Sequence, residues 1–120
     1  YGIDDFHTTG CTLITLMNEK YCKKLIIMLA GQNNPEHFHK KKDESFIVIK
    51  GDLEVIVDSK IHNLSPGDIL HIPIMSKHSF STKNGAVFEE ISTTHYKDDS
   101  HYSDTEISTN EDRKFYIPLM

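Results

Sequence analysis

Pro35-Glu36-His37-Phe38-His39-Lys40-Lys41-Lys42-Asp43-Glu44 is the stretch on which the reading of this chain turns. His37 and His39 stand two apart, and on an extended strand residues two apart face the same side. Two imidazoles can therefore aim at one point. Glu44 opens the next run of β-formers, from which it can fold back as an oxygen ligand. Imidazole nitrogens with a carboxylate suit one divalent ion, Mn, Zn, Fe, Ni or Co. A His-x-His pair alone does not make a metal site; the carboxylate that follows points to one.

Outward from this stretch the chain is a series of short β-rich runs: Thr12–Met17, Lys23–Leu29, Ser45–Ile49, Leu53–Val57, Asp68–Ile72, His78–Ser81 and Ala86–Ser92. Turn residues separate them. Lys50-Gly51-Asp52 and Asp58-Ser59-Lys60 read as hairpin turns, and Asn84-Gly85 as a further turn. Ser65-Pro66-Gly67-Asp68 fits a type II turn, with Pro setting φ and Gly supplying φ > 0. Short strands at this spacing, with no helix between them, predict an all-β sandwich or barrel. Thr94 to Asp112 is polar and reads as a surface loop, long enough to serve as a lid. Lys114 to Leu119 turns apolar again and is expected to return as a final strand.

The 120 residues suit one domain, 1–120, with a modest core. Eighteen acidic against 13 basic side chains give a net charge of −5. That balance argues against nucleic acid, which demands clustered Lys and Arg. Lys40-Lys41-Lys42 is too short a basic run to change this; Lys40 and Lys41 read as a solvated loop, with Lys42 either a third solvated lysine or a functional one. Leu25 to Ala30 is too short to span a bilayer, and no signal-peptide pattern opens the chain. Cys11 and Cys22 could pair, but nothing else marks a disulfide framework, so a cytoplasmic protein with two free thiols is expected. The chain begins at Tyr1 rather than Met, as a domain cut from a longer protein would.

Gly31-x5-His37-x-His39-x4-Glu44-x6-Gly51 resembles the first motif of the cupins, and Gly67-x5-Pro73 followed by His78 resembles the second. The resemblance spans Leu25 to Ser92. It implies a double-stranded β-helix, a small β-barrel, with a metal inside held by His37, His39, Glu44 and His78. If Glu44 points inward, Phe46 and Val48 should too. His7, His62, His71, His95 and His101 have no such support and are expected not to be ligands. The second motif departs from the family: Met75 stands where Gly is usual, and Ser81 or Thr82 lies near the usual Asn.

His37-Phe38-His39-x-x-Lys42-x-Glu44 is similar to the motif of cupin isomerases that act on D-lyxose and related aldoses. Glu90-Ile91-Ser92-Thr93 resembles a segment of that family with a glutamate on an inward strand. The resemblance implies Lys42 as proton donor, or as a neutral group, and Glu90, not Glu89, as base. Asp98-Asp99 matches an Asp pair of those isomerases but lies about two residues further along. The block from Pro35 to His95 also looks like cupin domains attached to sialic acid synthase-like proteins. Three functions follow as expectations: a metal-dependent sugar isomerase or epimerase, a non-catalytic domain binding a sugar or sugar acid, and an iron dioxygenase. A homodimer is expected by resemblance, and a fused catalytic domain is an expected partner.

Overall fold

The structure is a computed structural model and describes residues 1–116. After a short 3-10 helix at Ile3–Asp5 come ten strands. They are β1 (Thr12–Asn18), β2 (Tyr21–Met28), β3 (Asn33–Phe38), β4 (Glu44–Gly51), β5 (Leu53–Val57), β6 (Lys60–Leu64), β7 (Ile69–Ile72), β8 (His78–Ser81), β9 (Ala86–Thr93) and β10 (His101–Tyr102). One short helix follows, α1 (Thr105–Thr109). The strands form two five-stranded sheets, in the orders β1-β2-β9-β4-β7 and β10-β3-β8-β5-β6. Every pairing between named strands is antiparallel.

Period-two alternation produces the core. On β4 the side chains of Glu44, Phe46 and Val48 are buried while Ser45 and Ile47 are only partly so. Residues paired across a ladder share a face. Phe46 pairs with Glu90 and Val48 with Phe88, so β9 turns those two inward as well. Ile26, Met28, Leu53, Val55, Ile72 and Phe80 complete the apolar end. Phe46, Phe80 and Phe88 meet there, with centroids 5.0–5.5 Å apart. The barrel is thus apolar at one end, and the other end holds the polar residues.

Three strands were not legible. β3 includes Pro35, which has no N–H to donate, and its ladder with β8 shifts register between Asn34 and His37. β6 is a sheet edge with a polar sequence, and β10 has two residues. The segment expected to be a surface loop, long enough for a lid, therefore contains β10 and α1. The final strand expected from Lys114 is not seen over Lys114–Tyr116, which are irregular; the rest of that run lies outside the described residues.

Two turns are as expected. Asp58 and Ser59 have φ of 47° and 70°, the two positive values of a type I′ hairpin joining β5 to β6. Asp68 N–H donates to Ser65 O at 2.9 Å, and Gly67 has φ 92°, as a type II turn requires. Lys50-Gly51-Asp52 is a correction. It is no hairpin, because β4 and β5 belong to different sheets. The chain crosses there from one sheet to the other, and Gly51 (φ 87°) makes that corner.

Met75 explains one departure from the motif. Its φ is 71°, a left-handed conformation that glycine adopts without cost. The turn is retained, and Met75 N–H donates to His39 O at 2.8 Å, tying the two motifs together. The side chain is 56% exposed and contributes little packing. Met75→Gly is therefore expected to stabilise the fold by up to about 1 kcal/mol. Urea melts of both proteins would check it; a clear destabilisation would mean that the side chain matters more than the backbone strain.

Candidate metal centre

His37 on β3 and His78 on β8 are direct ladder partners, and His39 lies just beyond the end of β3. Each ring is oriented the same way. His37 Nδ1 lies 2.8 Å from Pro35 O, His39 Nδ1 2.7 Å from Asp99 O and His78 Nδ1 3.0 Å from Ser76 O. A carbonyl only accepts, so each Nδ1 carries the proton and each Nε2 offers its lone pair. Backbone carbonyls behind ligating imidazoles are a usual device for setting the tautomer. The three rings converge, with a ligand atom from each within 4.8 Å of the others.

Glu44 enters from the start of β4. Its Oε1 lies 2.8 Å from His78 Nε2 and 3.5 Å from His39 Nε2. Neither contact has hydrogen-bond alignment. Both carboxylate oxygens of Glu44 and Nε2 of His78 are buried without a hydrogen-bond partner. Orphaned buried polar atoms are costly, and a cation among them would satisfy all three at once. The donor set therefore fits a divalent ion, and the barrel interior brings together all four residues named from the motif.

The electrostatics agree. Burial, and then the neighbouring His78 and His39, hold His37 well below the usual imidazole range, so it stays neutral. Burial raises the Glu44 carboxyl, but contacts with His39 and His78 and the Lys42 charge outweigh it and hold the group well below the usual carboxylate range. Burial lowers His78, but the Glu44 carboxylate outweighs it and raises the imidazole.

Beside this cluster lies a second set of charges. Lys42 is 3% exposed, so the solvated-loop reading does not hold for it. Its Nζ lies 3.2 Å from Glu90 Oε2 and 3.3 Å from Glu44 Oε2. Burial works against its charge, but the Glu90 and Glu44 carboxylates prevail and raise it. Glu90 is buried and faces the interior, whereas Glu89 is partly exposed and lies 3.6 Å from Lys23. Burial and the nearby Glu44 push the Glu90 carboxyl up, with Lys42 and Lys24 opposing.

Lys24 escaped the sequence reading. It is buried, 4.0 Å from Glu90 Oε2, and its Nζ lies 3.1 Å from His95 Nδ1. Burial first, then the Lys24 charge, push His95 down to about 3, so the neutral ring accepts from Lys24. Parity could have found Lys24, since Cys22, Ile26 and Met28 of β2 are all buried. Asp99 also gains a role. Its carboxylate accepts from Lys40 N–H at 2.9 Å and Lys41 N–H at 3.1 Å, while its carbonyl holds His39. It thus clamps the loop that presents Lys42. Asp98 is exposed. His71 pairs with Asp43 on the surface at 2.5 Å, and His7, His62, His95 and His101 are outside the cluster.

Residues 24–89 match the Cupin domain. The chain belongs to the cupin domain family. No curated protein matches this cupin. Among solved structures it resembles the L-ribose isomerase of Geodermatophilus obscurus, at TM-score 0.74 and 17% identity, over 80% of this chain and 70% of that one. The Cellulomonas parahominis L-ribose isomerase gives TM-score 0.74 and 16% identity, over 80% and 71%. KdgF from Halomonas sp. gives 0.68 and 19%, over 74% and 83%. At these identities the likeness establishes the barrel. No helix among the described residues is long and apolar enough to cross a membrane.

Proposed function

We propose that this cupin is a metal-dependent isomerase that exchanges an aldose for its ketose. The observation carrying the reading is the buried Lys42–Glu90 pair, 3.2 Å apart, beside the three converging histidines. His37, His39, Glu44 and His78 would hold the ion, which when bound acts as Lewis acid and template for the sugar oxygens. Glu90 takes the proton from C2, the electron pair forms a C1=C2 double bond, and O1 receives a proton from Lys42. O2 then returns a proton to Lys42 while C1 takes the one held by Glu90. Burial and the nearby Glu44 raise the Glu90 carboxyl, the direction that makes a carboxylate a stronger base. Lys42, held protonated by two carboxylates, is ready as donor.

Residues 1–120 act as one domain in this reading, and the working form is a homodimer. β1 is a sheet edge exposing Leu13, Ile14 and Leu16, and long apolar edges need cover. Free thiols at Cys11 and Cys22 fit a reducing cytoplasm.

The test is NMR of the metal-loaded protein with aldoses and ketoses in D2O. Conversion with deuterium entering at the exchanged carbon is expected, without oxygen uptake. Oxygen consumption would favour the dioxygenase, and binding without conversion the non-catalytic domain. The ion has its own readout. Loading at a hundredfold excess over Kd should stabilise the fold by about 2.7 kcal/mol, lost again on chelation. His39→Ala and His78→Ala should each abolish most of that shift in a thermal melt. An unchanged shift would place the ion elsewhere.

A further inference from the structure

We infer that the sugar entering this barrel is anionic, and that Arg113, with Lys114 beside it in the chain, receives its carboxylate or phosphate. The inference deepens the proposed function by naming its substrate class, and it rests on that reading only in taking the barrel interior as a sugar site.

The buried and partly buried charges of this face are matched unevenly. Lys42 lies between Glu44 and Glu90, and Lys24 lies beside Glu90, so these four groups balance. Asp99 is engaged by two backbone N–H groups. Arg113 and Lys114 add two positive charges. Among the described residues neither has an ion-pair partner. A divalent ion at the histidines would make the imbalance larger.

Position connects Arg113 to the site. The Arg113 guanidinium lies over the Tyr102 ring, 5.1 Å from its centroid. The Tyr102 ring is in turn 5.0 Å from the ring of His37. Arg113 thus stands one aromatic ring away from the metal cluster. Tyr102 accounts for the face of the guanidinium but not for its N–H groups, and Nη1 is buried with no hydrogen-bond partner. Lys114 follows Arg113 in the chain and, like it, is partly buried. Tyr1, which donates to Asn34 at 2.9 Å and lies 3.1 Å from Tyr102 across their hydroxyls, holds the ring that supports Arg113.

A neutral sugar would leave Arg113 Nη1 unpaired and Lys114 without a countercharge. An anionic group satisfies both, and a planar guanidinium matches carboxylate and phosphate in geometry as well as charge.

The test is calorimetric titration of the metal-loaded full chain with D-glucuronate, D-glucose 6-phosphate and D-glucose. At least one anion should bind about tenfold more tightly than glucose, the size of one charge-assisted contact. The preference should shrink with added salt. Whether glucuronate or the phosphate is preferred identifies the anionic group. The double variant Arg113→Gln, Lys114→Gln should remove the preference while glucose affinity and the metal-induced thermal shift stay as in wild type. Equal binding of all three sugars, binding of none, or an anion preference that survives in the double variant would each overturn the inference. Anion binding without isomerisation would sink the isomerase reading alone, and turnover of neutral sugars with no anion preference would sink the inference alone.

Discussion

Glu90→Gln is expected to lower turnover by about two to four orders of magnitude while leaving metal binding intact. The substitution keeps the shape of the side chain and removes the base. Glu90 has no contact with the three histidine Nε2 atoms among its close polar contacts; it meets Lys42 and Lys24 instead. The metal-induced thermal shift should therefore persist. Lys42→Met should lower turnover comparably, because Lys42 is the only cation within 3.5 Å of both carboxylates among the described residues. The measurement is rate against substrate concentration for each variant, with circular dichroism to confirm folding. Equal rates in wild type and Glu90→Gln would remove Glu90 from the mechanism. Loss of the metal shift together with the rate would make its role structural.

Gly51→Ala should cost the fold more than about 3 kcal/mol, enough to unfold a marginal domain. Gly51 makes the corner at which the chain leaves one sheet for the other. Its φ of 87° already disfavours a side chain. A Cβ there would also collide with Gly85 O and come within 2.9 Å of Ala86 Cα, both backbone atoms of the facing corner. Backbone at a sheet corner has no rotamer through which to yield. Gly67→Ala is the control. Its φ is 92°, but nothing lies within 4 Å of the added carbon. It should cost only about 1 kcal/mol, the conformational strain alone. Denaturant melts of the two variants separate the collision from the strain; similar losses would show that the corner opens to make room.

The sequence alone determined a good deal here, and the physical reason is periodicity. Glu44, Phe46 and Val48 alternate with outward residues, so the inner face of β4 could be written down from parity. The residues by themselves pointed to His37, His39 and Glu44; His78 was named only by the resemblance of the motif spacing to the cupins. Positive φ was legible at Gly67, which Pro66 marks as the corner of a type II turn, and illegible at Met75, where the residue type hides the backbone conformation.

What only the tertiary structure decided are the choices between sheets and between partners at long range. Lys50-Gly51-Asp52 reads locally like a hairpin; that it is a corner depends on β4 pairing with β7 and β9 while β5 pairs with β6 and β8. Lys42 follows two lysines that are exposed, and no local rule distinguishes it from them. It is buried because β9 brings Glu90 against it from 48 residues away. Asp99 shows the same principle, reaching back about 60 residues to hold both His39 and the loop before Lys42. Alternation along a strand is a local property, written in the order of residues. A buried charge exists only where the fold supplies its counterion, and that depends on which strands come together.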